Sequence, residues 1–369
     1  MTTSTPAAPA PAPAGTPRRP LWRRLIGPVF SIVLVAAVFF WFLPQFTSVA
    51  DVWSSVRAMS WTEVTALLVA ALWNLATYQF VMVATTPGMT LRQATVSTET
   101  TTAVSNTVVG GAAISVGLTY AMNSSWGFSR SRTSVSLVVS GLWNNFAKLG
   151  LPVVALVLLA FSAPPTTTRL IAGLAGVGAL VVAVALLGLL LRSEEAAARI
   201  GAGAARGVSA VRRLFGTGPV SGWERATTKF RGRTVLLLRA RWHWITLATV
   251  VSHLSLFLVL LLALRFVGVG ADQVGLAEAL AVFAFARLLT AIPFTPGGLG
   301  VVELALITGL SAAGGPRALV AAAVLTFRAL TYVLPIPIGL AAYVFWRRNR
   351  SWRRAPNSAP RTDLVPETS

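Results

Sequence analysis

The chain has 369 residues, of which 55% are hydrophobic and only 11% charged, and its mean hydropathy is +0.70. Soluble domains contain about one quarter charged residues, so this composition excludes a soluble protein and predicts a polytopic, all-α membrane protein. The net charge of +20 is concentrated in basic clusters at residues 18–24, 192–241 and 347–354, all beside apolar runs. Such clusters are typical of cytoplasmic loops near anionic lipid, and no base-reading motif accompanies them, so nucleic-acid binding is not expected.

The chain has few of the residues that metal binding and thiol chemistry require. The chain contains no cysteine, which excludes disulfides and cysteine-held clusters. Its two histidines, His243 and His253, lie ten residues apart without a nearby acid. We interpret the first as an interfacial residue and the second as a helix residue with its hydrogen bonds satisfied, and expect neither a metal nor a cofactor.

Composition divides the chain into three parts. Residues 1–20 form a Pro/Ala-rich segment with nothing to bury, which predicts a disordered tail. Residues 21–348 form the transmembrane domain, which includes one large basic loop at 192–243. Residues 349–369 begin with basic residues and are predicted to form a second disordered tail.

Eight apolar runs are predicted to cross the membrane. They are Leu25–Phe42, Trp61–Ala84, Thr133–Phe161, Arg169–Leu191, Trp244–Val267, Leu276–Ile292, a span that ends near Ala312, and Pro316–Trp346. Four precede the basic loop and four follow it. With both termini and that loop on the cytoplasmic side, as their charge predicts, the count on each side is even.

Residues 85–132 do not resemble an ordinary span. They are rich in Thr and Ser, contain Glu99 and Gly110-Gly111, and end near Arg130. Apolar density is too low for a lipid-facing helix, so a re-entrant segment or a buried polar helix is favoured. The even count of crossings supports the re-entrant interpretation, with both ends on the cytoplasmic side.

The stretch Pro293–Glu303 combines two prolines, three glycines and one carboxylate between two apolar runs. Proline and glycine break helices, and irregular backbone at membrane depth is tolerated only inside protein or beside a wet cavity. A broken helix would direct backbone N–H groups into the membrane, which favours an anion site. The paired glycines Gly110-Gly111 and Gly297-Gly298 are also a short internal similarity between the two halves, as in transporters with a midplane site.

Five ionisable residues fall at membrane depth, where each costs roughly 2.5–3.5 kcal/mol at a helix centre. They are Glu99, Lys148, Arg287, Glu303 and Arg328. Two interpretations of the last three stay open: a structural ion pair that clamps the helix break, or a cavity that receives an anionic headgroup. Lys148, near Asn144-Asn145, could serve the same cavity or snorkel towards the surface.

The segment Pro296–Glu303, followed by Arg328, Thr331-Tyr332 and Pro335, resembles the C-terminal signature of the lysylphosphatidylglycerol synthase transmembrane-domain family, whose members are also called flippase-like domain proteins. Asn106 with Gly110-Gly111, and the stretch 144–148, are similar to the first half of that family. The resemblance covers roughly residues 20–348. It implies a helical bundle that moves lipids between leaflets, without the soluble aminoacyl-transfer domain of the lysyl-lipid enzymes.

We therefore expect a translocase of the plasma membrane and cell envelope that handles an anionic phospholipid or a polyprenyl-phosphate-linked lipid, with a homo-oligomer among its conceivable assemblies. No catalytic constellation is present. The candidate substrate-binding residues are Arg287, Pro296, Gly297, Gly298, Gly300, Glu303, Arg328, Tyr332, Asn145 and Lys148.

Two alternatives remain open. The first is a membrane enzyme acting on a lipid-linked carrier, for which Glu99 with Arg92 is the only candidate pair. The second is a non-catalytic scaffold for envelope biogenesis that binds a partner through the basic loop. An ATP-driven pump is not expected, because the chain contains no GxxxxGK[ST] phosphate-binding loop.

Overall fold

A computed structural model describes residues 57–108, 110–162, 223–290 and 298–349, together with a few isolated positions. The described residues form helices joined by short turns, with no strand among them, which confirms the all-α fold. The predicted tails and basic loop, the first and fourth predicted spans, and Pro296 and Gly297 fall wholly or largely outside the described residues.

Nine helices follow one another along the described residues. They are α1 Trp61–Thr85, α2 Leu91–Thr107, α3 Gly111–Ser125, α4 Arg130–Ser162, α5 Trp223–Phe266, α6 Leu276–Leu289, α7 Val301–Ala312, α8 Arg317–Arg328 and α9 Pro335–Arg348. A π-helical turn, Ala329–Val333, joins the last two into one rod. Four segments are long and apolar enough to cross a bilayer, namely α1, α4, α5 and the rod of α8 and α9.

Helices α1 and α5 pack against each other in opposite directions. Asn74 donates to the Ser255 hydroxyl, Thr77 shares a hydrogen bond with the same hydroxyl, and Ala84 lines a groove with Ala240. One end of the bundle contains Thr85, at the end of α1, and the first half of α5 up to about Ala240. We call it the basic end. The other end contains the start of α1 and the end of α5.

Helices α2 and α3 form a hairpin that begins and finishes at the basic end. Capping by Thr90 and Gln93 starts α2, and Gly110, with φ of +72°, turns the chain at the tip. The Ser115 hydroxyl donates to the Thr101 carbonyl across the arms. Met89, Ala94, Met122, Trp126 and Phe128 share one cluster at the base. The segment therefore returns to its own side, as the re-entrant prediction required.

Helices α6 and α7 form a second hairpin, at the opposite end. Val282 lies where a side chain on Gly309 would be, and the Gln273 carbonyl meets Gly314 at the base. With 14 and 12 residues, the arms are roughly 21 and 18 Å long, short of the ~30 Å hydrocarbon core. The sequence predicted two full crossings here. The structure instead has a pair of short helices around the glycine-proline break.

The two hairpins enter the bundle from opposite ends, and the two ends differ in the charge of their side chains. The described side chains at the basic end are cationic and none is acidic: Arg92, Arg130, Arg132, Arg231, Arg233, Arg239, Arg241, Arg347 and Arg348. The described side chains at the other end are balanced: Arg57, Arg265 and Arg317 with Glu63, Asp272 and Glu278.

Opposed hairpins can be tested by labelling, since the chain has no native cysteine. Ser124→Cys is exposed at the base of the first hairpin and Asp272→Cys at the base of the second. We expect an impermeant maleimide to modify them from opposite faces of sealed vesicles, with the cysteine-free protein unlabelled. Modification of both from the same face would contradict this topology.

The rod of α8 and α9 runs from the opposite end to the basic end. It starts near Val274, which lies against Gly315, and finishes where Trp346 donates to the Ser125 hydroxyl. The fully buried residues Ala321, Ala322 and Ala323 let α8 approach its neighbours closely, as small residues do between membrane helices. This rod passes both hairpins and carries Arg328 between them.

Candidate functional site

Arg328 is held halfway along the rod by an irregular turn. It ends α8, eleven residues after Arg317, which places it about 16 Å into the bundle. The π-helical turn follows at once, and Leu334 donates to the Ala329 carbonyl across it. Pro335 lacks an N–H and would crowd the carbonyl four residues earlier, so the wider turn accommodates the proline.

Arg328 forms a buried ion pair with Glu303, in the first turn of α7. Its Nε donates to Glu303 Oε1 at 2.6 Å, and the two side chains are only 9% and 4% exposed. Glu303 lies near the N-terminus of α7, where the helix dipole favours a negative charge. Its other oxygen, Oε2, is buried without a hydrogen bond in the described part of the chain. The carboxylate thus keeps unused acceptor capacity.

Tyr332 connects this pair to the tip of the first hairpin. Its ring centroid lies 4.7 Å from the Arg328 guanidinium carbon, within cation–π range. The Tyr332 hydroxyl donates to the Asn106 carbonyl at 2.6 Å, and Asn106 Nδ2 donates to the Tyr332 carbonyl at 3.0 Å. Elements from both hairpins therefore meet at Arg328.

Three more basic side chains, on three different helices, form a group that reaches Arg328 through Arg287. The group consists of Lys148 of α4, His253 of α5 and Arg287 of α6, which are close enough to act on one another electrostatically. Arg287 is also repelled by the positive charge of Arg328. Within the described residues, Lys148 has no hydrogen bond or ion pair, although it is only 8% exposed. The Nε of Arg287 and Nε2 of His253 are likewise buried without partners there.

Formal charge at this place does not balance among the described side chains. Lys148, Arg287 and Arg328 contribute three positive charges and Glu303 one negative charge, with His253 neutral. A buried charge without a partner is costly in a low-dielectric surrounding. Arginine and lysine are also the side chains that bind phosphate, bidentately in the case of arginine. The arrangement can therefore accept an anion.

The glycines of the motif shape the second hairpin beside these charges. Gly298 and Gly300 have φ of +70° and +82°, in the left-handed region that favours glycine. Gly300 is the N-cap of α7, and no side chain caps that helix. Its first N–H groups therefore have no partner within the helix and suit an anion. Pro296 and Gly297 lie outside the described residues.

Two sequence candidates lie apart from the group. Asn145 is exposed on α4, one turn from Lys148. Glu99 is buried, but its partner is Gln79, whose Nε2 donates to Oε1 at 3.1 Å, while Arg92 is exposed at the start of α2. The pair on which the enzyme alternative depended is thus not formed, and in the described residues no three His, Asp or Glu side chains gather to hold a metal.

Sequence reasoning did not assign His253 or Asn106 to the site. His253 Nδ1 bonds to the Thr249 carbonyl at 2.9 Å, which satisfies one ring nitrogen as expected and leaves Nε2 buried without a partner in the described residues. Its position in the middle of a span was the only signal. Asn106 was noted solely through the family resemblance, and its partner 226 residues away could not be found from sequence spacing.

Comparison with known proteins agrees with this architecture. No curated protein matches the chain. A family model described as the lysylphosphatidylglycerol synthase TM region matches residues 29–339, which include Arg328 and helices α1 to α8. That family places the protein in a membrane and lipid context. The chain therefore belongs to the lysylphosphatidylglycerol synthase TM region family.

Proposed function

We propose that the protein is a lipid translocase that moves lipids with an anionic headgroup between the leaflets of the plasma membrane, without covalent chemistry. One observation carries the proposal: Lys148 and Arg328 are buried and Arg287 is half-buried near the place where the two opposed hairpins meet, and among the described side chains Glu303 is the only carboxylate paired with any of them. Charges at membrane depth mark substrate pathways. The same arrangement of opposed broken segments is typical of transporters with a midplane site.

In the proposed mechanism the headgroup travels through the bundle while the hydrocarbon chains stay in lipid. The basic end faces the cytoplasm, because cytoplasmic loops carry excess Arg and Lys, and it attracts anionic lipid. An open groove of about 650 Å³ between α1 and α5 at that end is lined by Arg241 and Trp244 among apolar residues. A lipid can rest there with its headgroup near Arg241 and its chains against Phe80 and Leu247.

Glu303 has the role of holding Arg328 in place when no headgroup is bound. The ion pair keeps the Arg328 guanidinium beside the start of α7, and the Tyr332 ring packs against the same guanidinium. An arriving phosphate competes with Glu303 for the guanidinium. The unused Oε2 of Glu303 could then take a proton, so that the carboxyl does not remain as an unpaired charge. Binding and release thus alternate between two partners of one arginine.

Leaflet exchange in liposomes tests the function. Purified protein is reconstituted, fluorescent analogues of phosphatidylglycerol and of polyprenyl phosphate are added, and protection from an impermeant quencher is followed. We expect exchange of at least one analogue, lost in Arg328→Ala and retained in Arg92→Gln, which removes one charge from an exposed site. Exchange of neither analogue by the wild-type protein would overturn the proposal in favour of the enzyme or scaffold alternative.

A further inference from the structure

Resting on the proposed function, we propose that the headgroup received by Lys148, Arg287 and Arg328 is a phosphomonoester, and that the site prefers it to a phosphodiester of the same lipid. This names the chemical class of the cargo. The two classes differ in charge and in the number of free oxygens, and both differences can be compared with the side chains that converge on the site.

The three cations come from three different elements of the bundle. Lys148 belongs to α4, Arg287 to the α6 arm of the second hairpin, and Arg328 to the rod. Lys148 and Arg287 lie within electrostatic range of each other despite like charge, without an acidic side chain paired to either in the described part of the chain. Packing alone gives no reason to hold two such groups together inside a membrane, since either could be apolar at lower cost.

The charge of the site matches a dianion. Three cations and Glu303 leave a formal charge of +2. A phosphodiester headgroup carries one negative charge and would leave one positive charge unmatched. A phosphomonoester carries close to two at neutral pH, with three terminal oxygens as strong acceptors. One ammonium and two guanidinium groups can serve three oxygens at once.

His253 is compatible with this assignment. Because a carbonyl only accepts, the bond from Nδ1 to the Thr249 carbonyl places the proton on Nδ1. In its neutral form, His253 then presents Nε2 as a lone pair and adds no charge to the sum.

Equilibrium binding to the purified protein in phosphatidylcholine nanodiscs tests the preference at pH 8, above the second pKa of a phosphomonoester near 6. The probes are phosphatidic acid and its methyl ester phosphatidylmethanol, which have the same chains and differ by one methyl group and one charge. We expect phosphatidic acid to bind about tenfold more tightly, the order of one further charge-assisted hydrogen bond. Arg287→Gln and Lys148→Gln should each remove that preference, and Arg92→Gln should keep it.

A second readout separates binding from a structural role. If Lys148 and Arg287 are held together for a ligand, each Gln variant should leave the lipid-free melting temperature unchanged or raised, because it relieves repulsion between them. A fall in melting temperature in both variants would overturn the assignment.

The remaining outcomes are also decisive. Equal binding of the two lipids would overturn the phosphomonoester preference without affecting the exchange result, and a preference retained in both Gln variants would place recognition elsewhere. Competition by millimolar inorganic phosphate as effective as that by phosphatidic acid would show a site for free phosphate rather than for a lipid. Loss of exchange together with a retained binding preference would instead count against translocation alone.

Discussion

Glu303→Gln is expected to abolish lipid exchange and to lower the free energy of unfolding by about 3 kcal/mol, the order found when one partner of a buried ion pair is removed. The variant keeps the shape of the side chain and an oxygen that can accept from Arg328. It removes the only negative charge that the described side chains place beside Lys148, Arg287 and Arg328. The loss is therefore electrostatic in origin.

Arg328→Gln is expected to abolish exchange as well, but to cost less stability than Glu303→Gln. Removing Arg328 also removes its repulsion with Arg287. The double variant, with glutamine at both positions, should regain most of the lost stability, because a buried ion pair can often be replaced by a neutral pair at little cost. It should not regain exchange, since the phosphate-binding guanidinium is gone.

Chemical denaturation of the purified variants in detergent, followed by the exchange assay, measures both effects. Glu278→Gln is the matched control, because Glu278 also lies in the first turn of an arm of the second hairpin. Its loss should change stability by no more than about 1 kcal/mol, through the helix dipole, and should preserve exchange. Normal exchange in Glu303→Gln would refute the orienting and proton-accepting roles, and additive stability losses in the double variant would show that the two residues are not coupled.

Much of the architecture could be predicted from composition, because hydropathy and charge report directly on the solvent. The low apolar density of residues 85–132 predicted a re-entrant or buried polar segment, and α2 and α3 form such a hairpin. The glycine-proline stretch predicted a helix break, and Gly298 and Gly300 lie at one. Glu303 and Arg328 were expected to be within reach of each other, since two charges at similar depth are stabilised by pairing.

The second hairpin was not recognised for a physical reason. Helices α6 and α7 are apolar because other helices of the protein cover much of their surface, and residues such as Ala279, Phe283 and Leu306 belong to the main core. A hydropathy window cannot distinguish a side chain that is buried in protein from one that faces lipid. Short apolar stretches are better read as re-entrant or core helices than as spans.

The contacts between distant parts of the chain could not be predicted from sequence patterns either. Asn106 and Tyr332 exchange two hydrogen bonds across 226 residues, and no periodicity in either helix indicates the partner. Their geometry depends on the π-helical turn, which the prolines permit but do not specify. Sequence patterns predicted which residues were costly in a membrane, while packing decided which of them meet.

The close crossing of α2 and α9 gives the other large expected effect. Gly339→Ala should lower the free energy of unfolding by about 1–3 kcal/mol, as overpacking does in a well-packed core, and Gly339→Val by more. A β-carbon at this position would overlap the Glu99 carbonyl oxygen and lie 2.5 Å from the β-carbon of Ala103. The first obstacle is backbone, so only a separation of the two helices can relieve it.

Such a separation acts on the site as well as on stability. Helix α9 follows the turn that carries Tyr332, and α2 carries Asn106, so moving them apart strains the two hydrogen bonds that position Tyr332 beside Arg328. We therefore expect slower lipid exchange in Gly339→Ala even at temperatures where the protein remains folded.

Gly117→Ala and Gly141→Ala are matched controls, since an added β-carbon at either helical glycine meets no atom within 4 Å. Alanine is the better helix former, so both should be neutral or slightly stabilising and should exchange lipid normally. If Gly339→Ala behaved like these controls, α2 and α9 would not be in contact in the working protein, and the link between the first hairpin and Arg328 would fail with it.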